Sequence, residues 1–188
     1  MRALADSRTA RLLAASIAGV AMSAPLAAEA QAAPRSFASA AEAEAFLAEA
    51  LPAATAANPK YHTPGVEMAR RWLTKTITFR NGPSGVVVAS DETFEDYRGD
   101  VRALQGTHQV EFAIDDLAIT LETTADLTPT GERAQGVLFK CLGPPCIHAV
   151  WNGEASVRGS TDFYIHDPAQ RDAILAAFKT LQTKPEHK

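Results

Sequence analysis

The change of hydrophobic period near residue 71 constrains this chain most. Before it, Phe37, Ala41, Ala45, Phe46, Leu47 and Leu51 recur at helical spacing; after it, apolar residues fall at every second position. Val110, Phe112 and Ile114 alternate with Glu111 and Ala113, and Leu117, Ile119 and Leu121 alternate with Ala118, Thr120 and Glu122. A period of two puts successive side chains on opposite faces, so this region reads as half-buried strands. Asp115-Asp116 lies between those two runs and reads as the turn of a hairpin.

The same alternation predicts strands in "WLTKTITF" (72–79), 86–89, "GVLFKC" (136–141), "CIHAVW" (146–151) and "ASVRGSTDFYI" (155–165). "NGPSG" (81–85) separates the first two, and Asn152-Gly153 is a strong two-residue hairpin signal. The count is about seven antiparallel strands. The acidic pairs Asp91-Glu92 and Glu95-Asp96 around Phe94 read as a solvated, loop-like stretch, and the aromatic residues Trp72, Trp151, Phe79, Phe112, Phe139 and Phe178 as core.

A helix is predicted on each side of the sheet region. Ser39 is an N-cap with Glu42 three residues on, and Pro52 blocks continuation, giving a helix over about 40–50. Asp167-Pro168 starts the second, where Ile174, Leu175, Phe178 and Leu181 share one face to about Gln182. The expected organisation is a signal peptide over 1–30, a helix and linker over 31–66, and a sheet domain with its closing helix over 67–184.

The signal reading rests on Arg2, Arg8 and Arg11, the apolar run "LLAASIAGVAMSAPLA" (12–27) and the small-x-small site "AEA" at 28–30. The run is short for a membrane span, so no stable span is expected after processing. The chain carries a net charge of −4 and no Lys/Arg run longer than two, which argues against nucleic acid as a partner. The expected location is periplasmic or secreted.

Cys141 and Cys146 stand in "FKCLGPPCIHAVW" (139–151), with four residues between them. Placed opposite each other on a hairpin they meet disulfide geometry, and secretion supplies an oxidising compartment. A redox centre more often uses a two-residue spacing at a helix start. A metal reading brings in His148, two positions beyond Cys146 and expected on the same strand face, but a structural zinc site wants four ligands. The favoured reading is a staple, with no metal and no cofactor.

His148 and His166 are the remaining acid-base or ligand candidates; His108 leads the Val110 face and reads as partly buried, while His62 and His187 fall in linker and tail. G-x-S-x-G, a phosphate-binding glycine loop, H-E-x-x-H and an EF-hand pattern are all missing. No catalytic residue is assigned.

Short antiparallel strands closed by one helix, with "FKC…CI" late in the sheet, a Ser-rich strand and then "DPAQRDAILAAFKTL", resemble uncharacterised secreted bacterial proteins with a pleckstrin-homology-like barrel, over about residues 70–182. The resemblance implies an α+β fold: a curved sheet or barrel closed by the C-terminal helix, with an extra N-terminal helix. Cystatin-like and NTF2-like sheets are alternative folds. Phosphoinositide binding is not implied, because "RNGPSG" (80–85) offers only Arg80. The expected function is a non-enzymatic periplasmic binding domain for an envelope protein or a small apolar ligand. The rival is a small secreted hydrolase-type enzyme using His148 or His166 with an acidic partner. The secreted product is predicted to begin near Gln31; intact-mass measurement of periplasmic protein checks this, and a full-length mass in the membrane fraction refutes it.

Overall fold

The structure is a computed structural model and describes residues 35–183. The stretch read as a signal peptide and the tail beyond Thr183, with His187, lie outside the described residues. The elements are α1 (Ala40–Ala56), β1 (Tyr61–His62), β2 (Ala69–Gly82), β3 (Gly85–Arg98), β4 (Val101–Ala113), β5 (Leu117–Leu127), β6 (Arg133–Cys141), β7 (Ile147–Trp151), β8 (Glu154–Arg158), β9 (Ser160–Tyr164) and α2 (Pro168–Leu181). The fold is α+β, with one antiparallel sheet of nine strands in the order β8-β7-β4-β3-β2-β1-β5-β6-β9.

The ladder does not close, yet its two edges are consecutive in the chain. β8 pairs with β7, and β9 pairs with β6, with only Gly159 between them. Residues 133–151 and 154–164 are therefore the two arms of one long hairpin, turned at Asn152-Gly153, whose φ values of 48° and 90° are those of the expected tight turn. In one arm residues 142–146 loop out, and Cys141 and Cys146 pinch the base of that loop with Cα atoms 5.9 Å apart and sulfurs at disulfide distance. Their backbone N–H groups donate to Gly159 and Arg158 carbonyls on the opposite arm, 2.8 and 3.1 Å away.

This corrects the hairpin expected at the cysteines: β6 and β7 lie end to end and do not pair. A second correction has the same cause. β4 and β5 do not pair across Asp115-Asp116; Ile114–Asp116 is a 3-10 turn at which the chain leaves the β4 neighbourhood for that of β5. β4 pairs with β7 and β5 with β6, so one bent strand runs beside another. Strands that switch between two half-sheets at a bend are how a sheet turns a corner over its own core.

α2 clamps that corner. Gln182 Nε2 donates to the Ile114 and Leu117 carbonyls at 3.2 and 2.8 Å. The Thr183 N–H donates to Asp115 Oδ1 at 2.8 Å, and its hydroxyl donates to Asp115 Oδ2. Gly85 permits this geometry, because its φ is +89° and an added Cβ would lie 2.5 Å from the Asp115 carboxylate. Asp115 is thus a buried acceptor, not a solvated turn residue.

Ser39 and Asp167 cap their helices as expected, by accepting from Glu42 N–H and Gln170 N–H. Glu42 reaches back to Ala38 N–H at 2.8 Å, one residue earlier than in the usual capping box. Pro52 does not end α1, which continues to Ala56; Thr55 Oγ1 donates to the Leu51 and Pro52 carbonyls in that last turn. The stretch read as a linker is held in place: Tyr61 is buried, and Asn58 donates to Tyr164 O at 2.7 Å and accepts from His166 N–H at 2.9 Å.

Phe112 of one half-sheet lies 5.0 Å from Phe139 of the other, and Phe178 of α2 stands edge-on to Phe139 at 4.8 Å. All three are buried. Phe178→Ala is predicted to destabilise the protein by about 3–5 kcal/mol in chemical denaturation, the range for a phenylalanine removed from a packed core. Replacing both cysteines by serine should cost only about 2 kcal/mol, since the loop they close is short.

Candidate functional site

The outer face of β2, β3, β4, β7 and β8 carries a cleft. Its side chains stand in two rows set by the register: Thr78, Ala89, Glu111, His148 and Val157 in one, Thr76, Asp91, Gln109, Val150 and Ala155 in the other. Ala89 and Ala155 are short where their neighbours are long, and these rows, without Thr76, line a cleft of about 580 Å³. That volume falls in the range of small-ligand sites.

Its polar groups are mostly committed to one another. Asp91 accepts from Thr76 Oγ1 at 2.9 Å and from Gln109 Nε2 at 2.7 Å. Glu111 is bound by Arg80 at 2.7 Å, an exposed pair of the kind that contributes at most about 1 kcal/mol. Among the described residues none hydrogen-bonds the ring of His148, which stands exposed beside Val150 and Val157. The cleft therefore offers an apolar floor and one unengaged imidazole.

Of the two candidate histidines, only His148 is here. His166 lines a separate depression of about 440 Å³ with Glu132, Arg133, Asp167 and Arg171. Nor does His148 share a face with Cys146. That cysteine precedes β7 and packs partly against the core, whereas alternation within β7 turns Ile147 and Ala149 inward and leaves His148 outside.

A second constellation was not expected from the sequence. Asp91, Glu92, Glu95 and Asp96 lie within β3, which runs from Gly85 to Arg98, so they are not a loop. Glu92 and His108 are cross-strand partners on the inner face, 2.8 Å apart and 7 % and 4 % exposed. Burial pushes the Glu92 carboxyl up from its ordinary value, against the pull of His108. Trp72 and Trp151 lie against the His108 ring, and Phe94 packs on both of them, stacked on Trp151 at 4.5 Å. The guanidinium of Arg70 lies 4.6 Å from the Phe94 ring while two of its nitrogens hold Asp96 at 2.6 and 2.9 Å. Gly106 is what lets the Phe94 ring cross β4, since a Cβ there would meet it at 2.2 Å. The inner face thus passes from aliphatic core to a polar, aromatic end. The signal for it was the phase of Val88, Ser90, Glu92 and Phe94, unbroken from the strand read at 86–89.

On β9, Asp162 is pushed up to about 7, first by burial and then by the negative charge of Glu122. In the unfolded chain such a carboxyl ionises near 3.8, so its burial disfavours the fold increasingly as pH rises from about 4 to about 7. Asp162→Asn is predicted to raise the urea midpoint clearly at pH 8 and little at pH 4; an equal change at both would refute the assignment.

No protein family, no curated protein and no solved structure matches the chain.

Proposed function

We propose that this protein is a non-enzymatic binding domain of the bacterial periplasm that holds a small, largely apolar molecule in the cleft on the outer face of β2, β3, β4, β7 and β8. The observation that carries this reading is the cleft itself: Ala89, Val150, Ala155 and Val157 supply apolar surface, and the His148 ring stands among them with a nitrogen to offer a ligand's polar group. A ligand of that kind gains from covering apolar area and is oriented by one hydrogen bond. The carboxylates of Asp91 and Glu111 are already engaged by Thr76, Gln109 and Arg80, which favours holding a molecule over proton transfer to it.

The compartment is part of the proposal, supported by the apolar run at 12–27, the small-x-small residues at 28–30 and the Cys141–Cys146 bridge. Kinship with pleckstrin-homology-like barrels is part of the proposal, supported by the bent antiparallel sheet and the C-terminal helix packed on its core. Among the described residues no helix is long and apolar enough to cross a membrane.

The test is a screen of small amphipathic compounds by heteronuclear NMR. Binding should move the amide signals of Ala89, His148, Val150 and Val157, and Ala89→Leu, which fills the floor, should weaken it at least about tenfold with the fold unchanged. Shifts confined to other surfaces, or no binder of millimolar affinity or better, would refute the proposal.

A further inference from the structure

β8 is an edge strand whose sequence complements itself. It pairs with β7 on one side, and no strand among the described residues lies on the other. In the tight turn at Asn152-Gly153, Trp151 and Glu154 form the hydrogen-bonded pair. Glu154, Ser156 and Arg158 therefore bond inward to β7, and Ala155 and Val157 turn their N–H and C=O groups outward. The first four residues of β8 are exposed, Val157 by 52 %. The strand has no proline and no bulge, and among the described residues no segment covers it; its protections are its short length and the charges of Glu154 and Arg158.

We propose that β8 pairs antiparallel with β8 of a second copy of this chain, about a two-fold axis through Ser156. In that register Ala155 of each copy exchanges both backbone hydrogen bonds with Val157 of the other, which satisfies the outward groups. Glu154 then stands opposite Arg158, twice, and Ser156 opposite Ser156. Among the described residues neither Glu154 nor Arg158 has an ion-pair partner in its own chain. The other two-fold registers open to the outward groups, Ala155 on Ala155 or Val157 on Val157, separate these charges. The pairs set register and direction more than they add affinity. The same pairing joins the outer clefts, since Val157 and Ala155 end the two rows and each would abut the other in the second copy. The inference does not require the cleft to hold a ligand.

Sedimentation equilibrium of the purified protein should show a dimer. Glu154→Arg and Arg158→Glu should each raise its dissociation constant at least tenfold, and the double variant should restore it. Because Arg158 also lies 5.9 Å from the Trp151 ring, Ser156→Cys gives a test free of that contact. Opposed non-hydrogen-bonded residues sit about 4.5 Å apart at Cα, within disulfide reach, so mild oxidation should link two copies. A protein monomeric at all concentrations, a dimer indifferent to the charge reversals, or a dimer that Ser156→Cys fails to link would overturn the proposal.

Discussion

Everything in this fold depends on turning a corner without orphaning backbone hydrogen bonds. Two long strands, 101–127 and 133–151, run beside each other and must both bend where the half-sheets meet. One bends through Ile114–Asp116 and the other by expelling residues 142–146. At that corner the carbonyls of Ile114 and Leu117 are taken by Gln182, and those of Arg158 and Gly159 by the cysteine N–H groups. A buried carbonyl left without a donor costs about 1–3 kcal/mol, so the clamp from α2 and the cysteine bridge act on the same joint.

That joint is also what made the sequence misleading. Alternation located the strands of residues 72–79, 110–121 and 136–165, and Ser39, Asp167 and Asn152-Gly153 announced their caps and turn. Pairing was not legible, because a hairpin and a corner both look like two alternating runs around a short polar break. Asp115-Asp116 has the composition of an exposed turn, yet Asp115 is buried against Thr183, a partner 68 residues away. The loop at Leu142-Gly143-Pro144-Pro145 likewise has hairpin composition, and only the neighbouring arm, 158–159, shows that it is an excursion.

The candidate site divides the same way. His148 was visible as a strand residue, but its isolation from His166 and from Cys146 follows from which face and which end of the sheet each occupies. Glu92 and His108 were hidden by composition: four acidic residues in six positions suggest solvent. Three of the four are buried because Arg70, Arg102 and His108 reach them across neighbouring strands. Losing His108 alone would leave a buried carboxyl with no counter-group, whereas replacing both by apolar residues of similar size would be far milder.

The tie between Asn58 and the end of β9 has a bearing on how the chain reaches this structure. Asn58 binds Tyr164 and His166, partners 106 and 108 residues further on, and α1 packs on α2 at the far end of the sequence. Such pairings close large loops before they return any stabilisation, which slows folding relative to a chain built of local contacts. The meander of β2, β3 and β4 is local and can zip early. α1 can settle on β2 as that meander forms, through contacts such as Thr74 N–H to Thr55 Oγ1, but its packing on α2 waits for the last helix, so the first helix among the described residues is completed late.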